Sequence, residues 1–188
     1  LVQQKSVPKL IFSSSGGTVY GDADELPVSE DYLANPIGAY GAGKLTFEHY
    51  LKVYNRLHDL DYLVFRPSNP YGSGCEQGVI SVFLKKILKG ESIEIWGNGS
   101  AIRDYIYIDD LVSIFMKGID YKAVKDEPRI FNAGSGIGTS LSELIKELEK
   151  ITGRTANVSY HPEINAGVRA IVLDCNRVER VLHWKNNV

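Results

Sequence analysis

Short apolar runs alternate along the chain with longer segments of helical periodicity. Buried strands are predicted where apolar runs end at polar or turn-forming residues, at positions 9–13, 61–65, 129–132 and 170–173, with further extended segments at 92–96 and 101–107. Helices are predicted where apolar residues recur every three or four positions, at 39–57, 79–88, 108–117, 140–151 and 176–182. Because strands and helices alternate, the pattern predicts an α/β fold with a mainly parallel sheet.

The segment 140–151 has the clearest helical pattern. Its apolar residues form one stripe at helical spacing, made of Leu141, Leu144, Ile145, Leu148 and Ile151. Ser140, followed three residues later by Glu143, predicts a capping box at its start.

The composition is that of an ordinary globular protein, with 188 residues of which 44% are hydrophobic and 23% charged. The formal net charge of −2 argues against a broad surface for nucleic acid or an anionic membrane. No apolar run approaches the ~20 residues of a membrane span. Cys75 and Cys175 form no CxxC pair, and the four histidines have no metal-ligand spacing. Two lone thiols fit a reducing compartment, so we expect a cytoplasmic protein without a metal site.

Three loops follow predicted strands and are candidates for ligand binding. They cover residues 13–21, 67–72 and 134–139. In open α/β sheets, ligands bind beyond the carboxyl ends of the strands. The candidate groups in and beside the first two loops are Ser13, Ser14, Ser15, Thr18, Tyr40, Lys44 and Asn69.

Tyr40 and Lys44 share one face of the predicted helix because they are four residues apart. A nearby ammonium lowers the pKa of a phenol from about 10, and such a phenol can take a proton from an alcohol. The spacing alone is weak evidence, since Tyr121 and Lys125 repeat it, and a solvated Tyr and Lys are the alternative. Only the first pair follows a serine-rich strand end at a distance suited to a shared pocket.

Several ordered motifs carry a resemblance to a known family. They are FSSSGGTVYG at 12–21, YGAGK at 40–44, RPSNPYG at 66–72, IWGNG at 95–99, RDYIYIDDL at 103–111 and FNAGSG at 131–136, with Leu173-Asp174 and His183-Trp184 near the end. In this order they resemble the extended short-chain dehydrogenase/reductase family. Within it they are most similar to NAD-dependent nucleotide-sugar epimerases of the UDP-glucose 4-epimerase type.

The resemblance implies a Rossmann-like parallel sheet, with its N-terminal part missing, and a smaller C-terminal substrate-binding lobe. Residues 1–72 would be the C-terminal part of the dinucleotide-binding domain. Residues 73–188 would be mainly the lobe, with about 101–132 returning to the Rossmann-like domain. The family's Gly-rich turn, which holds the cofactor pyrophosphate on a helix N-terminus, does not precede Leu1. We therefore expect the C-terminal part of a longer NAD-dependent enzyme, with little or no activity by itself.

The same resemblance assigns roles to individual residues. Tyr40 would be the base at the sugar C4 hydroxyl, and Lys44 would hold the nicotinamide ribose and favour the phenolate of Tyr40. Hydride would pass to NAD and return to the other face of the 4-keto sugar. The other expected contacts are Ser13, Ser14, Pro67 and Ser68 on the cofactor, and Thr18, Asn69, Ile95, Trp96 and Arg103 on the substrate. Among these, Asn69 would contact the diphosphate, Ile95 and Trp96 would flank the uracil, and Arg103 would bind a phosphate.

One departure concerns the hydroxyl that usually completes the catalytic group. The Ser or Thr that the family places four residues before the Tyr of VYG falls here on Gly16. We expect a bulged turn at Gly16-Gly17, because glycine allows unusual backbone angles. Ser15 or Thr18 would then reach the sugar hydroxyl, and the sequence favours Ser15.

A second departure concerns phosphate binding. The position of a second family arginine is Ile164, which leaves Arg169 as its possible substitute. For Arg103, the alternative to a phosphate contact is a salt bridge to Asp104 or Asp109.

Other activities and partners stay open. A dehydratase of the family would need an acidic pair, and a decarboxylase a Glu, where Gly16-Gly17 stand. Epimerisation fits best; another dehydratase, decarboxylase or reductase activity, or a non-catalytic nucleotide-sugar-binding fragment, is the alternative. The implied partners are a UDP-sugar, whose sugar is not determined, and a second copy of the chain. Phe47, Leu51 and Tyr54 would supply the dimer face or pack on the chain's own sheet.

Overall fold

The computed structural model describes residues 7–124, 127–163 and 167–188. Strands and helices alternate in it, and helices α2 to α6 begin and end within three residues of their predicted bounds. In chain order the elements are β1 (Leu10–Ser13), α1 (Gly16–Val19), α2 (Ala39–His58), β2 (Tyr62–Pro67), β3 (Asn69–Tyr71), α3 (Val79–Lys89), β4 (Ser92–Trp96), β5 (Ile102–Tyr107), α4 (Ile108–Asp120), β6 (Ile130–Ala133), β7 (Gly138–Ser140), α5 (Leu141–Thr152), β8 (Asn157–His161) and α6 (Asn176–Leu182).

A three-stranded parallel sheet, in the order β1-β2-β6, holds the centre of the molecule. Every residue of β2 is buried, as expected for the central strand of a parallel sheet covered on both faces. Helix α4 packs so closely on one face that a Cβ on Gly118 would lie 2.7 Å from the Phe65 ring. On the other face, Leu51 of α2 packs with Tyr62 and Val64. The predicted α/β class with a parallel sheet is therefore confirmed.

Two smaller sheets flank the central one. Strands β4 and β8 form a parallel pair, and β3, β5 and β7 form a mixed sheet in the order β3-β5-β7. Helices α3 and α5 cover them and share one apolar cluster, made of Phe83, Ile87, Ile93, Ile95, Leu144, Ile145 and Leu148. The predicted capping box of α5 is present, with the Ser140 hydroxyl accepting from the Glu143 N–H.

The end of the chain returns to the central sheet. Trp184 is buried in the same cluster as Phe65 and Phe131, and its indole N–H donates to the Ser113 hydroxyl at 2.7 Å. The buried Asp110 carboxylate accepts from three N–H groups of the last two residues. The division at residue 72 stays a prediction, but the last residues belong to the central core.

The predicted strand at 170–173 is wrong. Its residues make single bridges to two different partners, Ala170 to Ile102 and Leu173 to Val28. The Ile171 N–H donates to the Ile102 carbonyl, and the Asp174 N–H donates to the Val28 carbonyl. The segment thus crosses between two neighbours and follows neither far enough to form a ladder.

Three strands were not predicted as such. Strands β3 and β7 have three residues each, and β8 lies where no element was expected. Pairing with distant residues stabilises strands this short, and such pairing leaves little periodicity in the local sequence. No helix among the described residues is long and apolar enough to cross a bilayer.

Candidate functional site

Tyr40 and Lys44 lie in the first two turns of α2, as predicted. The Lys44 ammonium donates to the Ser13 carbonyl at 2.8 Å and lies 5.5 Å from the centroid of the Tyr40 ring. It also lies 5.0 Å from the centroid of the Phe12 ring. Lys44 thus ties α2 to the carboxyl end of β1, while the Tyr40 side chain is 62% exposed. An open phenol beside a fixed ammonium is suited to proton transfer with a bound ligand.

For the other Tyr–Lys pair in the sequence, the structure describes one member. Tyr121 follows the last residue of α4, and Lys125 lies outside the described residues. Among the described residues, the pair on α2 is therefore the candidate.

A glycine brings α1 against the start of α2. A Cβ on Gly41 would lie 2.5 Å from the Thr18 carbonyl oxygen, so only glycine allows this approach without a shift. Gly38, with an extended backbone, stands at the N-cap position of α2. Thr18 is consequently fixed beside the helix turn that carries Tyr40.

Two of the predicted site residues have buried hydroxyls without a hydrogen-bond partner among the described residues. They are Oγ1 of Thr18 and Oγ of Ser68. A buried hydroxyl left unpaired costs about 1–3 kcal/mol, and such groups in folded proteins call for an explanation. Polar groups of a bound ligand would supply the missing partners. Ser15 is half-buried, and its side chain makes no capping bond to α1.

The expected bulged turn at Gly16-Gly17 is wrong. These two glycines open the short helix α1, and neither has a positive φ. A Cβ on Gly16 would lie 2.8 Å from the Arg66 carbonyl oxygen and 2.5 Å from Cδ1 of Leu173. The position is glycine because the packing leaves no room for a side chain.

The Ser14 hydroxyl, predicted to contact the cofactor, is committed elsewhere. Ser14 is buried, and its hydroxyl donates to Oε1 of Glu48. Glu48 lies one turn after Lys44 on α2 and is also buried. Ser14 therefore joins β1 to α2 through the hydrogen of its hydroxyl, and its predicted contact with the cofactor stays a prediction.

Glu48 belongs to a buried ion pair that the sequence analysis missed. Arg66 Nη2 lies 2.6 Å from Glu48 Oε2, and Arg66 Nε donates to Oε1 at 3.1 Å. Arg66 Nη1 donates to the Tyr20 hydroxyl at 2.9 Å, which donates in turn to Asn132 Oδ1 at 2.6 Å. A possible signal was present: Glu48 continues the line of Tyr40 and Lys44 at intervals of four residues.

Arg66 keeps its charge and Tyr20 stays neutral near neutral pH. Burial opposes the charged form of Arg66, but the hydrogen bond and charge of Glu48 and the Tyr20 hydroxyl outweigh it, so the pKa of Arg66 is raised. Burial raises the pKa of Tyr20 to about 12, although Arg66 opposes the shift. Tyr20 therefore stays a neutral hydrogen-bond donor, and Arg66 stays a cation.

Residues 67–69 leave the carboxyl end of β2 beside this network. Pro67 and Ser68 are buried, and the Asn69 amide donates to the Asp104 carbonyl at 2.9 Å. The Asn69 side chain thus has a structural partner in β5. Its predicted contact with the substrate diphosphate stays a prediction.

Ile95, Trp96 and Arg103 line one cavity of about 250 Å³ between β4 and the start of α3. Because side chains alternate along a strand, Trp96 is 62% exposed while Ile95 is 1% exposed. The Ile95 side chain packs in the apolar cluster under α3 and α5. Of the two residues, Trp96 is therefore the one whose side chain is open to a ligand.

Arg103 does not form the alternative salt bridge to Asp104 or Asp109. Its Nη1 donates to the Ile102 carbonyl at 2.8 Å, and among the described residues no carboxylate oxygen lies within 4 Å of it. Burial lowers the pKa of Arg103, yet a guanidinium stays charged at any ordinary pH. It is a cation available to an anionic ligand.

Arg169 is exposed and lies 3.6 Å from Asp22. It lines a neighbouring cavity of about 330 Å³ that also includes Trp96. Ile164 lies outside the described residues.

Asp104 is a second residue whose role the sequence analysis missed. Its fully buried carboxylate accepts from the N–H and hydroxyl of Ser135 at 2.8 Å each, and from the N–H groups of Gly136 and Leu173 at 3.1 Å each. This carboxylate holds the loop after β6. The Gly-rich run at 134–138 therefore leads from β6 into β7, and no phosphate cradle is needed to explain it.

The apolar residues of α2 divide between two environments. Leu51 is buried against the sheet, so for this residue the alternative of packing on the chain's own sheet is the one observed. Phe47 and Tyr54 are exposed, together with Tyr50 and Leu57.

Among the described residues, no group of three or more His, Cys, Asp or Glu could hold a metal ion.

Comparisons with known proteins agree with this arrangement. The model of the NAD dependent epimerase/dehydratase family matches residues 1–134. A UDP-glucose 4-epimerase of Mycolicibacterium smegmatis is 36% identical over 186 residues, which cover 97% of this chain and 58% of the relative. A dTDP-4-dehydro-6-deoxyglucose reductase of Escherichia coli is 40% identical over 184 residues, covering 96% of this chain and 57% of the relative.

The fold matches a solved structure along almost its whole length. The Thermotoga maritima UDP-glucose 4-epimerase with UDP-glucose superposes with a TM-score of 0.89 at 35% identity, covering 98% of this chain and 60% of that one. The chain thus spans about three fifths of the length of the proteins that it resembles.

Proposed function

The chain belongs to the NAD-dependent epimerase/dehydratase family, and we propose that its Tyr40–Lys44 site serves the C4 epimerisation of a UDP-hexose. The family predicted from the motifs is confirmed. One observation carries the proposal: Lys44 is fixed beside the Tyr40 ring, and Thr18, packed against the same helix turn, has a buried hydroxyl without a partner among the described residues. The Tyr40 phenol, with Lys44 and Thr18 beside it, can exchange a proton with a sugar hydroxyl that binds over it.

The chain's residues would divide the reaction as follows. The Tyr40 phenolate takes the proton of the C4 hydroxyl and gives it back after the 4-keto sugar has rotated to present its other face. The Lys44 ammonium, fixed beside the Tyr40 ring, would hold the nicotinamide ribose. Ser13, Pro67 and Ser68 would hold NAD, which would supply the hydride acceptor and donor at C4. Ser68 fits this contact because its buried hydroxyl has no partner among the described residues, and Ser13 and Pro67 lie at the carboxyl ends of β1 and β2.

We assign the hydroxyl that completes the catalytic group to Thr18. The sequence favoured Ser15, and both residues are half-buried. Thr18, however, is packed against the helix turn that carries Tyr40, and its Oγ1 is buried without a partner among the described residues. A Thr18→Val change keeps the shape and removes the hydroxyl. It should lower turnover by about 10² to 10³, the range for loss of one hydrogen-bond donor in a catalytic site, while Ser15→Ala should change it far less. The opposite order would return the role to Ser15.

The nucleotide part would occupy the cavity around Trp96 and Arg103. An exposed indole face near a guanidinium with no carboxylate partner among the described residues suits a base followed by a diphosphate, because arginine binds phosphate bidentately. Asn69, whose amide donates to the carbonyl of Asp104 next to Arg103, and Arg169, which lines a neighbouring cavity with Trp96, are proposed as further contacts. Ile95 would contribute through its backbone, since its side chain is in the core.

A 4-keto sugar reductase is the second candidate. It is favoured by the 40% identity to the E. coli dTDP-4-dehydro-6-deoxyglucose reductase. Both activities use the same Tyr and Lys, and they differ in whether hydride is returned or consumed. A dehydratase or decarboxylase is disfavoured because Gly16-Gly17 stand where an acidic residue would act and leave no room for one at position 16.

The deciding experiment uses the protein that carries this chain, supplied with NAD. UDP-glucose, UDP-N-acetylglucosamine and UDP-glucuronate are each tested for C4 inversion, and dTDP-4-keto-6-deoxyglucose is tested for oxidation of NADH or NADPH. Inversion without net cofactor turnover supports the epimerase, and stoichiometric cofactor oxidation supports the reductase. Tyr40→Phe should abolish turnover and spare nucleotide-sugar binding. Tyr50→Phe, an exposed tyrosine on the same helix, is the matched control and should be silent.

We also propose that the 188-residue chain alone binds NAD more weakly than a full-length relative and turns over little. The sequence contains no Gly-rich pyrophosphate turn after a first strand, and the chain spans about three fifths of its relatives. Calorimetric titration with NAD checks this, and an affinity like that of an intact relative would contradict it. A homodimer through the exposed face of α2 and a cytoplasmic location complete the proposal.

A further inference from the structure

The proposed site residues lie on four segments, at positions 13–15, 16–20, 39–48 and 66–69. One buried network joins these segments underneath the site. We infer that Glu48 and Arg66 are positioning residues, which set the distance and angle between Tyr40–Lys44, the Thr18 hydroxyl and the cofactor-side residue Ser68. The inference rests on the proposed function for its chemical meaning. The contacts themselves do not depend on it.

Glu48 fixes the rotation and depth of α2. It lies four residues after Lys44, so its carboxylate leaves the helix on nearly the same side. One carboxylate oxygen accepts from the Ser14 hydroxyl and from Arg66 Nε, and the other faces Arg66 Nη2 at 2.6 Å. Ser14 directly follows Ser13, whose carbonyl holds Lys44. Any roll of α2 would break both of these connections.

Arg66 fixes the other two segments against the same point. It directly precedes Pro67 and Ser68 at the end of β2, so its position sets where Ser68 leaves the sheet. Its Nη1 donates to the hydroxyl of Tyr20, which lies two residues after Thr18, and its guanidinium lies 4.9 Å from the centroid of the Tyr20 ring. The Tyr20 hydroxyl in turn donates to Asn132 of β6, which fixes Tyr20 to the central sheet.

A contribution to stability does not explain the pair. Both side chains are almost fully buried, and apolar residues of similar volume are often as stable as a buried ion pair, or more so. A bidentate ion pair differs from apolar packing in being directional, because it is satisfied at one geometry only. That property is what a site with a catalytic base, a hydroxyl and a cofactor contact on separate segments requires, since small misplacements cost large factors in rate.

The test compares Glu48→Gln with Leu51→Ala in the protein that carries this chain. Glu48→Gln keeps the size and part of the hydrogen bonding but removes the charge that orients Arg66. Leu51→Ala disturbs the next turn of the same helix, where the side chain is buried among apolar residues only. Tm, kcat and KM for the nucleotide sugar are measured for both variants. Ser14→Ala, which deletes one hydrogen bond and no charge, is the milder variant in case Glu48→Gln does not fold.

We expect Glu48→Gln to lower kcat by about 10- to 100-fold, the range for a misplaced catalytic group. KM should change less than about threefold, because neither Glu48 nor Arg66 lines the nucleotide cavity around Trp96. Leu51→Ala should lower Tm at least as much and keep most of kcat. Loss of kcat in proportion to the loss of Tm in both variants would overturn the inference, and so would an unchanged kcat in Glu48→Gln.

A second readout separates this inference from the proposed function. In the full 188-residue chain, amide hydrogen exchange is followed in peptides covering residues 13–20, 39–48 and 66–69. Glu48→Gln should raise exchange in all three together, and Leu51→Ala should raise it in α2 without affecting residues 13–20. If the wild-type protein acts on none of the tested sugars, the proposed function fails while this pattern still decides whether the pair holds the segments. Exchange confined to α2 in Glu48→Gln would overturn the inference.

Discussion

Gly16 offers a sharp test of the packing around the site. It opens α1 with an ordinary helical backbone, so a larger residue there meets no conformational barrier. The obstacle is space: an added Cβ would lie 2.5 Å from Cδ1 of Leu173 and 2.8 Å from the Arg66 carbonyl oxygen. Leu173 is fully buried, and the Arg66 carbonyl belongs to the central strand. Neither atom can move away without disturbing the core.

The expected cost follows from two opposing effects. Overpacking a filled site costs about 1–3 kcal/mol, and contact with buried backbone places Gly16→Ala near the upper end. Replacing glycine in a helix returns at most about 1 kcal/mol. The net loss should be about 2 kcal/mol, which lowers the Tm of a chain of this size by about 4–8 °C. Gly16→Ser should cost at least as much, although it restores the residue type usual in the family.

Gly17 is the matched control, because it is the next residue of the same helix and a Cβ there meets nothing within 4 Å. Gly17→Ala should therefore be neutral or stabilising by up to about 1 kcal/mol. Both variants are compared with the wild-type chain by calorimetry and by urea unfolding. Equal Tm values for the two variants would refute the reasoning, as would a Gly16→Ala protein as stable as the wild type.

Two further predictions concern the cysteines and pH. Burial raises the pKa of Cys175 to about 12, while Cys75 is partly exposed, so Ellman's reagent should titrate one thiol in the native protein and two in guanidinium; two fast-reacting native thiols would contradict the packing. The hydrogen bond to Glu94, opposed by slight desolvation, raises the pKa of His161. The stabilisation from this pair is therefore complete below the unfolded-state pKa of about 6.5 and is lost as pH rises through the higher folded-state value. The Tm difference between wild type and His161→Gln should shrink as pH rises, and a pH-independent difference would refute it.

The helices and the buried strands could be predicted because their signals are local. The capping box at Ser140 and the apolar stripe of α5 are complete within a dozen residues. The structure has the capping box and buries Leu144, Ile145 and Leu148 of the stripe, while Ile151 at its end is exposed. The predicted strand at 170–173 was wrong because this apolar segment makes single bridges to two separate neighbours and forms no continuous ladder with either. An apolar run reports burial, but it does not report which partner, if any, the backbone pairs with.

The residues of the candidate site were likewise predictable only where their signal is local. Tyr40 and Lys44 were predictable from helical spacing, and the structure brings their side chains together. Glu48 and Asp104 were not recognised because a carboxylate is usually exposed. Their burial depends on donors far away in the chain, such as Arg66 and Ser135. Such partners become visible only when the fold brings the segments together.

The alternation of side chains along β2 explains how one strand serves both stability and the site. Leu63 and Phe65 point to the face covered by α4, where Gly118 allows close apolar packing. Val64 and Arg66 point to the opposite face, where Arg66 meets Glu48 of the helix that carries the proposed catalytic pair. A change at Leu63 or Phe65 therefore alters the core first and reaches the site only through the backbone. A change at Arg66 acts on the segments of the site directly, with the strand itself still held by its two parallel neighbours.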